Sequence, residues 1–165
     1  MLVDSHCHLD FRDFAGELDA VVERARAAGV GRMVTICTRP SQLEKNPAIT
    51  DQFDDVFCAA GVHPHNAASE EPMTVERLAE IARHPKIVGI GESGLDYHYD
   101  HSPRDQQQAS FRTHIQAARE TGLPLVVHTR SADDDTIRIL REEGAGAGGD
   151  KPLRGVIHCL SLIHI

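Results

Sequence analysis

The sequence predicts an α/β protein in which parallel strands alternate with helices that cover them. Three observations carry that expectation. Apolar runs rich in β-branched residues recur at 2–5, 32–37, 56–62, 86–91, 123–128 and 154–159. They are nearly continuous rather than alternating, as strands covered on both faces are. Between them apolar residues fall at helical spacing, which makes strand–helix–strand units and hence a parallel sheet. Composition is that of an ordinary folded domain, 165 residues with 41% hydrophobic and 25% charged, enough for one core with little room for two.

The connecting elements can be justified in order. After the first strand, Phe14, Leu18, Val21, Val22, Ala25 and Ala28 share one helical face, and Gly29 follows as a C-cap. Ser41 can N-cap a second, weaker helix. Thr74 precedes Val75, Leu78, Ala79, Ile81 and Ala82, a third helix stopped before Pro85. Phe111, Ile115 and Ala118 mark a fourth, ended by Gly122. A fifth begins at Asp134 or Asp135, with Ile137 and Leu140 turned inward and Gly144 after it. The glycine-rich stretch 144–150 is a loop. No Gly-x-Gly-x-x-Gly follows the first strand, which disfavours a dinucleotide-binding sheet. The expected architecture is a TIM-type (β/α)8 barrel of which six of the eight βα units are present.

Charge and cysteine usage narrow the partners. The formal net charge is −8, and no run of Lys or Arg interrupts it. Long-range electrostatic capture of nucleic acid is therefore not expected; a phosphate ligand would need local arginines or bound cations. Met1-Leu2-Val3-Asp4 has neither a basic n-region nor an apolar h-region, and no run of about 18 apolar residues marks a membrane span. Cys7, Cys37, Cys58 and Cys159 are far apart with no Cys-x-x-Cys, which reads as reduced, buried thiols in a cytoplasmic protein.

The chemistry starts at Asp4-Ser5-His6-Cys7-His8. In a strand, His6 and His8 project to one face about 6.6 Å apart, and both imidazoles can reach one divalent ion at about 2.1 Å. With 11 histidines in the chain, and a second such pair in His63-Pro64-His65, that alone says little. The placement says more, because five of the six strand candidates end in a metal-ligand residue type. The first strand gives His6 and His8, the third leads into His63 and His65, and the fourth ends at Glu92. The fifth ends at His128 and the sixth at His158. In a parallel barrel these ends share one face, where active sites are built.

Imidazoles with a carboxylate suit Zn²⁺, Mn²⁺ or a similar first-row ion, and the two oxygens of Glu92 can bridge a metal pair; the expected cofactor is two divalent ions, Zn²⁺, Mn²⁺ or Mg²⁺. Ions about 3.5–4 Å apart would activate a water and clamp a scissile phosphodiester. Each residue also has a plainer role. His6, His8, His128 and His158 could be hydrogen-bonded core histidines, and Glu92 could pair with an arginine. His63 and His65 could orient a substrate phosphate instead of binding metal. Arg130 could grip a phosphate bidentately, or make a surface salt bridge to Asp133 or Asp134. His84, His98, His101 and His114 read as surface or structural, and Asp96 as a support for the site or a loop cap.

Five segments resemble the TatD-related metal-dependent deoxyribonucleases, within the amidohydrolase-like barrels. They are Val3-Asp4-Ser5-His6-Cys7-His8-Leu9-Asp10, Gly61-Val62-His63-Pro64-His65 and Gly91-Glu92-Ser93-Gly94-Leu95-Asp96-Tyr97, then Leu123-Pro124-Leu125-Val126-Val127-His128-Thr129-Arg130 and Gly155-Val156-Ile157-His158-Cys159. The resemblance implies a TIM-type barrel and a two-metal hydrolase that cuts DNA phosphodiesters as an exonuclease. It implies that His6 and His8 hold one ion, Glu92 bridges, His128 and His158 hold the other, and His63 contacts substrate.

The match ends at Cys159. The family continues with Phe-Ser-Gly and two further barrel units that carry an Asp ligand; here Leu160-Ser161-Leu162-Ile163-His164-Ile165 follows. The expectation is an incomplete hydrolase barrel over 1–159 and a non-family tail over 160–165, the frame being truncated, with His164 left without a role. A complete barrel takes about 250 residues, and six strands leave an open, apolar edge. The complete protein is expected to be a monomer acting on DNA, with no membrane partner. The alternatives are an amidohydrolase or esterase on the same barrel, and an inactive metal-binding fragment.

Overall fold

The computed structural model describes residues 1–39, 41, 43, 45–69, 71–146 and 152–161. Each apolar run forms a strand: β1 (Leu2–Cys7), β2 (Val30–Ile36), β3 (Val56–Ala60), β4 (Ile87–Asp96), β5 (Leu125–Arg130) and β6 (Gly155–Ser161). Helices α1 (Leu18–Ala27), α2 (Lys45–Thr50), α3 (Val75–Ile81), α4 (Arg104–Thr121) and α5 (Asp133–Glu142) fall between them. All strand pairs are parallel and the sheet runs β1-β2-β3-β4-β5-β6 in sequence order. It curls until the ring of His6 on the first strand stacks on that of His158 on the last, 3.4 Å between centroids. This is a TIM-type (β/α) barrel built from six units.

Local chemistry sets several boundaries where the sequence suggests them. The Thr74 hydroxyl accepts the amide of Arg77 at 3.2 Å and caps α3. Gly122, at φ 73°, closes α4 in the left-handed region that its missing Cβ permits. Helix α4 presses Phe111, Ile115, Ala117 and Ala118 onto a cluster with Ile90, Leu95, Leu125 and Val127 of β4 and β5. No helix among the described residues is long and apolar enough to cross a membrane.

Elsewhere tertiary contacts override local pattern. Ile137 does not turn inward: it is 47% exposed, while Thr136 and Ile139 are buried. The Thr136 hydroxyl meets that of Thr129 on β5 at 2.9 Å, which orients this face of α5 to the sheet and leaves Ile137, one residue on, rotated outward. The second helix begins at Lys45, not beside Ser41. The loop expected at 144–150 is described only to Gly146. β6 runs on to Ser161, and of the tail expected over 160–165 residues 162–165 lie outside the described residues.

The largest difference is β4, which continues past Gly91 through Glu92 to Asp96. Its far half pairs with β5, Gly94 with His128 and Asp96 with Arg130. Gly94, at φ 147°, permits this approach, because a Cβ there would run into the His128 carbonyl oxygen.

Candidate metal centre

The strand ends that carry ligand types are also where the sheet register breaks. β1 slips against β2 between Asp4 and Cys7, β4 against β5 between Ile90 and Ser93, and β6 against β5 beside Cys159. A register break re-aims one side chain at a time and is common beside active sites. Here the breaks fall at His6, Glu92 and His158. Cys7 packs outward with Val22 and Met33, its thiol reaching the Val34 carbonyl at 3.4 Å, so its neighbours His6 and His8 face the interior.

Glu92 is the centre of the arrangement and is 3% exposed. Its Oε2 lies 3.4 Å from His6 Nε2, its Oε1 3.0 Å from His128 Nδ1 and 3.8 Å from His63 Nε2. Two groups result, His6–His8–Glu92 and His63–Glu92–His128, in each of which one donor atom per residue lies within 4.8 Å of the others. Glu92 belongs to both. His158 pairs in register with His128 and lines the same cavity of about 410 Å³, together with His8, His63, His65 and Glu92.

Turn chemistry aims the remaining imidazoles. Pro64–Asn66 forms a short helical turn in which the amide of His65 donates to His63 Nδ1 at 3.2 Å, leaving His63 Nε2 toward Glu92. Asp96 supports from below: its Oδ2 accepts from His65 Nε2 at 2.8 Å and from His128 Nε2 at 3.0 Å. Its Oδ1 accepts the amides of His98 and Tyr99, at 3.1 and 3.0 Å.

Charge in the cluster is arranged around carboxylates. Burial alone would push the Glu92 carboxyl up, but the imidazoles of His128 and His6 hold it below the usual range. Asp96, also penalised by burial, is brought down to about 2 by the Tyr99 amide and by His65 and His128. Burial disfavours the His128 imidazolium, yet Glu92 and Asp96 on either side raise its pKa. His63 drops to about 3 through burial, against the pull of Glu92, and is a neutral donor at pH 7. Burial and His6 lower His8, and likewise His158.

These residues fit a divalent ion. The Nδ1 atom of His6 is buried with no hydrogen-bond partner among the described residues, an arrangement that is costly unless something fills it. Neutral imidazole nitrogens with one shared carboxylate form a donor set for first-row divalent metals.

Three side chains take more specific places than the sequence assigned them. His63, expected at the substrate, shares the second ligand group with Glu92 and His128. Asp96, read from the sequence as a support for the site or a loop cap, does both, anchoring two imidazoles and accepting the amides of His98 and Tyr99; it stands four residues from Glu92 on one strand, but a strand ended at Gly91 conceals that both face the same way. His114 is fully buried and props the site: its Nε2 accepts the amide of Val62, next to His63, at 3.1 Å, and its Nδ1 donates to the Ser110 carbonyl at 2.7 Å. Arg130 forms no ion pair with Asp133 or Asp134 among the described residues; its guanidinium lies over the Tyr99 ring, 4.6 Å from the centroid.

Known proteins share this framework. Chain residues 3–162 match the model of the family described as TatD related DNase. The chain is 40% identical over 164 residues to a Bacillus subtilis (strain 168) protein named uncharacterized metal-dependent hydrolase YabD, covering 98% of this chain and 61% of that one. It is 32% identical over 163 residues to the 3'-5' ssDNA/RNA exonuclease TatD of Klebsiella pneumoniae (strain 342), covering 97% and 59%. The crystal structure of YJJV, a TatD homolog from Escherichia coli k12, superposes with a TM-score of 0.79 at 27% identity, covering 90% of this chain and 61% of that one. The chain thus spans about three fifths of the length of the curated relatives it matches. With the family match extending from the first strand to the last, and the His/Glu cluster at its centre, this chain belongs to the TatD-related DNase family.

Proposed function

We propose that this chain carries the metal centre of a hydrolase that cleaves phosphodiester bonds in DNA, working as an exonuclease on single strands. The observation that carries it is Glu92, one buried carboxylate common to two groups of imidazole donors in a single cavity. His6 and His8 with Glu92 would hold one divalent ion, and His128 with Glu92 the other. His63 belongs to that second group, and His158, which lines the same cavity with its ring stacked on His6, would be a further nitrogen donor. Bound ions would supply the Lewis acidity that activates an attacking water and offsets charge building on the phosphoryl oxygens. They would also bring local positive charge to a chain whose net charge is −8.

The chain's own residues do the positioning. Asp96 keeps His65 and His128 in fixed orientations, and the Pro64 turn does the same for His63. In the reaction water adds to phosphorus, one P–O ester bond breaks, and the departing oxygen takes up the proton that the water gives up. The support for DNA over other esters is the family and the relative named as an ssDNA/RNA exonuclease.

The test is nucleotide release from a single-stranded oligonucleotide with Mn²⁺ or Mg²⁺, alongside metal content of the purified protein. Release that stops in EDTA, and a fall of at least about 10²-fold in Glu92→Gln together with lost metal, are expected, since even a group that only supports a ligand is worth about 10–100-fold. Activity that survives EDTA or Glu92→Gln overturns the assignment. Turnover of amide substrates without DNA cleavage supports the amidohydrolase alternative, and bound metal without any turnover supports the inactive fragment. Metal content in His63→Ala and His158→Ala decides which of the two completes the second position.

A further inference from the structure

Three flat groups stand together at the end of β4 and β5, outside the ligand groups. The Arg130 guanidinium lies over the Tyr99 ring at 4.6 Å from its centroid. The His101 ring is parallel to Tyr99, with 1° between planes and 5.5 Å between centroids. His65 meets both edge-on, at 5.5 Å from Tyr99 and 4.7 Å from His101. His65 also lines the central cavity and shares Asp96 with His128, so the array begins where the cavity ends.

The fold holds this array in place and leaves about half of Tyr99 open to solvent. The Tyr99 amide donates to Asp96 Oδ1, and Arg130 sits at the last position of β5, paired in register with Asp96. Yet Tyr99 remains 49% exposed. Tyr97, two residues earlier, differs: its hydroxyl donates to Asp135 at 2.7 Å and it is half-buried.

An exposed aromatic ring beside a cation, next to a centre that handles phosphodiesters, is the combination by which single strands are gripped: bases stack on the ring and the backbone follows the charge. We propose that Tyr99, flanked by Arg130 and His101, is a base-stacking platform that seats a nucleobase of a single-stranded nucleic acid next to the metal centre. This rests on the nuclease function proposed above and adds what that function lacks, a contact to the base instead of the phosphate. Stacking accepts every base, so the platform selects for unpaired strands and not for sequence.

The test compares binding of two phosphorothioate-linked strands of equal length in Mn²⁺, an oligothymidylate and an abasic strand. The chain has no Trp and two Tyr, so stacking on Tyr99 also quenches tyrosine emission. The wild type should prefer the oligothymidylate. Tyr99→Ala and Tyr99→Leu should weaken that complex by about 5- to 100-fold while leaving the abasic complex within about twofold, and Tyr99→Phe should keep the preference. Tyr99→Leu retains bulk, and Tyr99→Phe reports on folding. A base preference unchanged in both Tyr99→Ala and Tyr99→Leu overturns the platform alone. Equal wild-type binding of the two strands also overturns it, in favour of recognition through phosphate. Binding of neither strand overturns the nuclease function, and the platform with it.

Discussion

The middle of the sheet and its two outer strands contribute to one site from opposite physical conditions. In β4 every residue but one is buried, and α4 lays Phe111 and Ile115 across it and β5 with no exposure at all. In β1 and β6, the first and last strands of a chain that spans about three fifths of its curated relatives, four apolar residues are open: Leu2 is 63% exposed, Val3 57%, Val156 49% and Ile157 48%. Glu92, the shared carboxylate, comes from the buried strand, whereas His6 and His158 come from the open ones and His8 directly follows β1. A carboxylate needs a rigid, dry setting if two donor groups are to share it, while imidazoles on outer strands can be drawn in by a common ion. Metal is therefore expected to tie the outer strands to the middle, in line with the general coupling of metal binding to folding.

The largest effect that would break this comparison is on stability in the core. Phe111→Ala should cost about 3–5 kcal/mol, as removal of a buried ring does, and Ile157→Ala within about 0.5 kcal/mol. Denaturant midpoints of the two variants measure the difference, and similar losses would mean that β6 is as well supported as β4.

Acid sharpens the contrast next. His114, in the middle region, is neutral when folded, with its pKa brought from 6.5 to about 4 by burial. As pH falls, the unfolded chain takes up this proton first. Its contribution is thus intact above pH 6.5 and drains away between 6.5 and about 4, by up to about 3 kcal/mol at 1.36 kcal/mol per unit. Unfolding curves of wild type and His114→Gln over that range should converge toward pH 4; parallel curves would show that His114 does not titrate this way.

The smallest effect is at helix starts. Thr74→Ala should cost about 1 kcal/mol, because Thr74 caps α3 and α3 inserts Leu78 into the main core. Glu17, at the equivalent place before α1, makes no side-chain capping bond, so Glu17→Ala should change little. Thermal melts of the pair decide whether the first unit is as tightly specified as the third.

The order and type of elements, and the ligand chemistry at strand ends, were determined by the sequence itself. Continuous apolar runs, helical apolar spacing of 3.6 and caps such as Thr74 and Gly122 are properties of a few neighbouring residues, and Glu92, His128 and His158 each stand at the end of an apolar run, with His6 two residues beyond one. What the tertiary structure alone decided depends on how strands register against one another. β4 reached Asp96 only because β5 offered partners as far as Arg130. His63 joined the ligand group through a turn beside Thr38, whose carbonyl takes its amide. His114 was buried by the docking of α4, Ile137 was turned out by the Thr129–Thr136 contact, and Arg130 was laid on Tyr99 instead of pairing with an acid. Local spacing says which residues face the same way along one strand; only register, bulges and docking say which residues of different strands meet.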